Sequence, residues 1–222
     1  MFSRRLKSGY FILEGLNSFS TVYYLYYFYF FMRTEHGYGN RANLLLAALN
    51  GAVYALMSWQ GGRFAQRFGY FTSLKLGFGI MTAALAVGSQ VHSASGHILI
   101  MAVTVVGMCF TWPTLEALVS EGETRVGVQR MVGIYNVTWA GTGAVAYFTG
   151  GAMLEKLGPQ SLFYVPAAIQ LGQLGLTLWL ESKARRAVTV AVPNSFAPTP
   201  KPHPHPAART RVFLRLAWLA NP

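Results

Sequence analysis

The sequence predicts an all-α membrane protein, a bundle of six transmembrane helices, and three observations carry that reading. Only 11% of the residues are charged against 53% hydrophobic, far under the roughly 25% charge usual in soluble domains. Six apolar runs follow one another, each close to the ~20 residues that span hydrocarbon at a rise of 1.5 Å per residue. The basic residues are one-sided. With the amino terminus inside, only Arg33, Arg41 and Lys156 of the 18 Lys and Arg fall outside, which is the positive-inside bias.

The first run, Ser8 to Met32, follows Arg4, Arg5 and Lys7 as a secretory leader would. Glu14, Asn17, Ser18 and Ser20 interrupt it, however, and it continues through Phe31 without a small-residue cleavage site, so it reads as the first membrane helix. The second run is Asn43 to Gln60, the third Phe71 to Val91 and the fourth Ile98 to Val119; Met131 to Leu154 and Gln160 to Leu180 complete the set. Between the second and third lies Gly61 to Gly69, a basic, glycine-bearing stretch that reads as a tight cytoplasmic turn. Outer loops are expected at His36 to Gly39 and at Ser93 to His97. Such short connections make consecutive helices antiparallel neighbours. Residues 1–182 thus form one six-helix unit. Beyond it the chain turns basic, and Pro193 to Pro206 holds most of the 10 prolines. Residues 183–208 are therefore expected as an extended cytoplasmic linker, and 209–222, apolar again, as the start of a seventh helix.

The formal charge of +11 is explained by an anionic inner leaflet rather than by nucleic acid, given where the basic residues sit. All 7 acidic residues are Glu, and Cys109 is the only cysteine, which excludes an internal disulfide and a thiolate metal site. His203 and His205 alternate with prolines without a third ligand, so no metal is expected. The histidines His36, His92 and His97 fall in the outer loops. No hydrolase elbow, dinucleotide fingerprint, phosphate loop or zinc-protease helix occurs, and neither an enzyme nor a cofactor is expected.

The stretch Gly62 to Phe71 resembles the loop between helices 2 and 3 of the major facilitator superfamily. That pattern is a glycine, three residues, an acid, a basic residue, any residue, a glycine and two basic residues. Gly62, Arg67 and Gly69 match it, whereas Gln66 replaces the acid, and Tyr70 and Phe71 the basic pair. The loop Ser120 to Arg130 resembles the family's loop between helices 4 and 5. By that resemblance Glu121 is the acid that pairs with Arg67 as a gate latch, with Arg130 in the same motif. Exposed charges of this kind contribute only ~0 to 1 kcal/mol when merely solvated.

The resemblance covers the chain at the level of helix count, loop sidedness and these motifs. It implies one six-helix half of a secondary transporter, its central loop and the beginning of helix 7, in a truncated or half-size chain. The implied setting is a plasma membrane, the bacterial inner membrane, with a cytoplasmic amino terminus. Implied partners are a small solute with proton coupling left open, the bilayer, and a missing carboxy-terminal half or a second copy. A non-transporting membrane scaffold remains the alternative. Two coupling signatures of the family are absent, since Val103 replaces an arginine of helix 4, and Ala146 and Tyr147 a Gly-Pro pair of helix 5.

Candidate site residues come from polar side chains inside apolar runs, because an acid at bilayer depth costs about 2.5 to 3.5 kcal/mol. Glu14, Asn17, Thr21 and Tyr24 share one face of the first helix. They either line a polar cavity or, for Glu14, snorkel and pair with Lys7. The second helix adds Asn50 and Tyr54, the fourth Trp112 and Glu116 beside Pro113, and the fifth Asn136 and Trp139. Pro113 suits a kink, and Glu116 is the acid expected to carry a proton. The aromatic run Tyr23 to Phe31 reads as an interfacial belt or as a stacking surface for a sugar or aromatic solute.

Overall fold

The computed structural model describes residues 4–190, with side chains from 6 to 186. Six helices follow in order: α1 Arg4–His36, α2 Asn40–Phe68, α3 Tyr70–Gly88, α4 Ala94–Ser120, α5 Arg125–Leu157 and α6 Ser161–Val190. Among the described residues no other regular structure occurs. Helices α2, α3, α4 and the Ser161–Arg186 part of α6 are each long and apolar enough to cross a membrane. The remaining two, α1 and α5, are the longest, at 33 residues each. In α1 the apolar run is diluted by Glu14, Asn17, Ser18, Ser20 and Thr21, all of which are buried. A helix that turns polar groups inward among other helices loses hydropathy without facing lipid with them.

Three sequence expectations are corrected by the helix ends. The stretch Gly61 to Gly69 is not a loop, because α2 runs on through Phe68. There Phe64 sits 4.6 Å from Phe68 and meets Phe110 edge-on at 5.3 Å, and Ala65 is buried, so apolar packing continues past the hydrophobic run. The whole turn is Gly69, at φ +91°, a backbone region that glycine enters at little cost. Its N–H donates to the Ala65 carbonyl at 2.9 Å, and its carbonyl accepts from the Ser73 N–H at 3.1 Å.

Nor is His97 in an outer loop. Ser93 caps α4 by accepting the Gly96 N–H at 3.2 Å, as short hydroxyl side chains do, and His97 falls in the first turn at 2% exposure. It stacks on Phe163 at 5.0 Å, meets Phe31 edge-on at 4.9 Å and touches His36 through Nδ1 and Nε2 at 2.9 Å. Finally, α6 continues to Val190, so residues 183–190, expected in the linker, are helical. The proline-rich stretch and the seventh helix expected at 209–222 lie outside the described residues.

Helix α1 is the centre of the bundle. Its Tyr10, Leu13, Tyr23, Tyr24, Phe28 and Met32 are fully or almost fully buried, and it bonds to α6 three times. Gln173 Nε2 donates to the Leu13 carbonyl at 2.9 Å, Gln170 Nε2 to Ser20 Oγ at 3.0 Å, and the Tyr23 and Ser161 hydroxyls share a bond at 2.8 Å. The chain ends of one side of the bundle are tied by ions. Lys7 pairs with Glu123, and Glu181 accepts from Lys75 at 2.9 Å and Arg185 at 2.8 Å.

Helices α3 and α4 are joined by hydroxyls. Ser73 Oγ donates to the Phe110 carbonyl at 2.8 Å, and Thr114 Oγ1 reaches Ser73 Oγ at 3.1 Å. Pro113, inside α4, has no N–H to give the Cys109 carbonyl. That carbonyl instead faces Gly61 of α2, so closely that a methyl group at Gly61 would collide with it. A proline that frees an acceptor and a glycine that lets a backbone approach it thus form one contact.

Candidate functional site

Successive turns of α1 place Glu14, Asn17, Ser18 and Thr21 on its inner side, all at 2% exposure or less. Ser18 Oγ donates to Glu14 Oε1 at 2.7 Å, and the Tyr135 hydroxyl also meets the buried Glu14 carboxylate. Asn17 Nδ2 donates to Thr111 Oγ1 of α4 at 3.4 Å, and its Oδ1 is unpartnered. One residue on, Trp112 keeps its Nε1 buried and unpartnered. Its ring meets Tyr54 of α2 at 5.9 Å and a 68° interplanar angle. From α5 the Tyr135 hydroxyl donates to the Trp112 carbonyl at 3.4 Å.

Tyr135 and Glu116 both lie within electrostatic reach of Glu14, and Tyr54 within reach of Glu116. Two carboxylates and three aromatic rings are therefore neighbours at the junction of α1, α2, α4 and α5. Buried polar groups normally have a partner. Asn17 Oδ1 and Trp112 Nε1, neighbours of Thr111 and of Tyr54 and Tyr135, lack one here. The two acids differ in setting, since Glu14 is fully buried and Glu116 is exposed. Among the described residues neither belongs to an ion pair.

The other candidates are distributed more widely. Thr21 donates its hydroxyl to the Asn17 carbonyl at 2.7 Å. Tyr24 packs on Phe28 at 5.5 Å and Phe163 at 5.9 Å, with its hydroxyl toward Thr104 of α4. Asn50 donates to the Tyr29 hydroxyl at 3.4 Å, away from Trp112. Asn136 is exposed, and Trp139 lines a separate groove of about 360 Å³ between α1 and α5, with Val22, Tyr26, Gly143 and Tyr147.

The side of α5 that meets α1 runs through Tyr135, Thr138, Thr142, Ala146 and Gly150, as the approach of Thr138 and Thr142 to Gly15 and of Gly150 to Tyr23 shows. It is rotated by one residue from the face that holds Asn136 and Trp139. The recurrence of Tyr135, Thr138 and Thr142 at spacings of three and four was the available signal for Tyr135.

The expected pair of Arg67 and Glu121 is not formed among the described ion pairs. The Arg67 guanidinium lies over its own neighbour Phe68, 5.2 Å from the ring centre, and Glu121 and Arg130 are exposed. Gly62 has open space around it, and Gly69 makes the turn. The acid of this loop that does find a base is Glu123, with Lys7. No group of three or more His, Cys, Asp or Glu able to hold a metal occurs among the described residues.

No family model matches the chain, and no curated protein matches it. Its fold is similar to that in the crystal structure of a mutant of the peptide transporter POT in complex with sulfate, with a TM-score of 0.70 at 18% sequence identity. The match covers 96% of this chain and 44% of that one, so the chain spans less than half the length of the transporter. The fold is accordingly an all-helical bundle like that of this solved structure, with four helices long and apolar enough to cross a membrane.

Proposed function

We infer that the chain serves secondary transport of a small solute, contributing the helices that line one side of a site reached alternately from the two faces of the membrane. The observation that carries this reading is Glu14, an acid with no exposure in the central helix of a transporter-like bundle. An ionisable group held inside a membrane helix is costly and points to function. In the facilitator reading the exposed side of Glu116 and the half-exposed Tyr54 and Trp112 face a second six-helix unit, supplied by further chain or by another copy. The site is then completed between the two. In this reading Glu14 and Glu116 exchange a proton as the solute passes, and the basic end of the bundle faces the cytoplasm across a plasma membrane. No covalent chemistry is needed, and the side chains act only by binding, by charge and by excluding water.

The test is reconstitution of the chain into proteoliposomes, with and without its downstream reading frame, followed by counterflow exchange over a panel of amino acids, peptides, sugars and amines. Saturable exchange that is lost in Glu14→Gln supports the reading. A correctly folded, reconstituted protein that exchanges none of them and carries no solute-dependent proton flux counts against it.

A further inference from the structure

We propose that the space between Glu14, Tyr54, Trp112, Glu116 and Tyr135 binds an organic cation, an ammonium or guanidinium group attached to a small apolar body. The proposal deepens the transport reading, on which it rests, by naming the chemical class of the solute.

Charge is the first ground. Glu14 and Glu116 lie within electrostatic reach of each other, yet among the described residues no Lys, Arg or His forms an ion pair with either. Every ion pair found lies instead at the end of the bundle, on Glu123 and Glu181. Two neighbouring carboxylates, Glu14 fully buried and Glu116 exposed, favour a cation between them and disfavour an anion by the same interaction.

The unpartnered polar atoms are the second ground, and they are independent of the charge. The fully buried Asn17 leaves Oδ1 without a partner, and the Glu14 carboxylate is met by the Ser18 and Tyr135 hydroxyls and by no cation among the described residues. Both are pure acceptors, which match a ligand that donates N–H groups. The indole N–H of Trp112 is also free of a partner and can serve a carbonyl or hydroxyl on the ligand's body.

The walls are the third ground. Tyr54 and Trp112 meet edge to face, and Tyr135 is held against the Trp112 backbone. Aromatic faces attract cations through the ring quadrupole, Trp most strongly. Carboxylates beside aromatic rings favour positive charge carried on an apolar body.

The experiment measures equilibrium binding by calorimetry to the full 222-residue chain in lipid nanodiscs. The probes are benzyltrimethylammonium, benzyl alcohol and benzoate, which share a ring and differ in charge. Saturable binding of the cation is expected, tighter than that of the alcohol by at least about tenfold, with no binding of benzoate. Glu14→Gln and Glu116→Gln should each weaken the cation by about tenfold or more and leave the alcohol unchanged.

Because Glu116 is exposed, its variant keeps the test valid if Glu14→Gln does not fold. Benzoate binding as tightly as the cation overturns the proposal, as does cation binding that ignores both substitutions, or binding of none of the three. Binding moved by Trp139→Ala alone also overturns it, by placing the ligand in the α1/α5 groove. The transport reading fails separately. Cation binding without exchange in proteoliposomes leaves the site and removes the transport, whereas exchange of an uncharged solute without cation binding does the reverse.

Discussion

His36 Nε2 and His97 Nδ1 stand 2.9 Å apart and join the last residue of α1 to the first turn of α4. The pair is packed against Phe31 and Phe163, so it closes one end of the bundle with a polar contact inside an aromatic cluster. His97→Phe keeps the ring packing and removes the bond, and should cost about 1 kcal/mol. His97→Ala also leaves a cavity beside Phe163 and should cost about 2 to 4 kcal/mol. Thermal unfolding in detergent ranks the two. Equal losses would show that the bond, not the stacking, carries the contact.

Gly61→Ala should destabilise the protein by about 1 to 3 kcal/mol, because the new methyl group meets the Cys109 carbonyl and overpacked contacts cost that much. Gly62→Ala, with open space around it, should change stability by less than about 0.5 kcal/mol. The comparison separates the glycine that matches the facilitator motif from the one that packs, and unfolding midpoints of the two variants decide it.

At the loop end, Lys7→Glu and Glu123→Lys should each impair stability. The double swap should recover part of the loss, a coupling of up to about 1 kcal/mol for a partly exposed pair. The same cycle on Arg67 and Glu121 should give no coupling, since Arg67 lies over Phe68. Coupling confined to the second cycle would restore the motif-based latch and remove the observed one.

Glu14→Leu should raise thermal stability, by about 1 kcal/mol or more, while abolishing solute exchange. A buried ionisable group kept for function opposes stability, and here the carboxylate is fully buried without an ion-pair partner among the described residues. A variant that loses stability together with exchange would make Glu14 a structural residue.

Topology is read by labelling. Cys109 is buried, so His92→Cys and Glu121→Cys, both at exposed positions, should be the reactive thiols. A membrane-impermeant reagent applied to intact cells should modify the first and spare the second. Labelling of both from one side would remove the six-span arrangement.

Helix number and order were legible because hydropathy and sided charge depend on composition alone. The inward face of α1 was also legible, because polar residues at spacings of three and four inside an apolar run mark one side of a helix whatever surrounds it. The rotation of α5 was not. Asn136 and Trp139 drew notice as polar and large, yet the neighbours of a helix decide which side turns inward, and Thr138 and Thr142 pack against Gly15. The glycines near residue 61 misled for a related reason. Glycine serves turns and close helix contacts alike, and only the Cys109 carbonyl opposite distinguishes the second use. His97 and its bond to His36 depend on residues 61 apart in sequence, a pairing that no local pattern encodes.

A single residue, Gly69, stands between α2 and α3, and both of its backbone polar groups are engaged by the helices on either side. No slack remains at that joint. A tilt of α2 must be passed to α3 as a tilt, because there is no loop in which the displacement could be absorbed. The push continues through the Lys75 and Glu181 pair into α6 and, from the other side, through Gly61 into α4 one turn before Pro113. Lengthening the joint by two flexible residues should therefore leave each helix folded while uncoupling their motions. The fastest exchange rate such a protein can reach is set by how stiffly this corner turns.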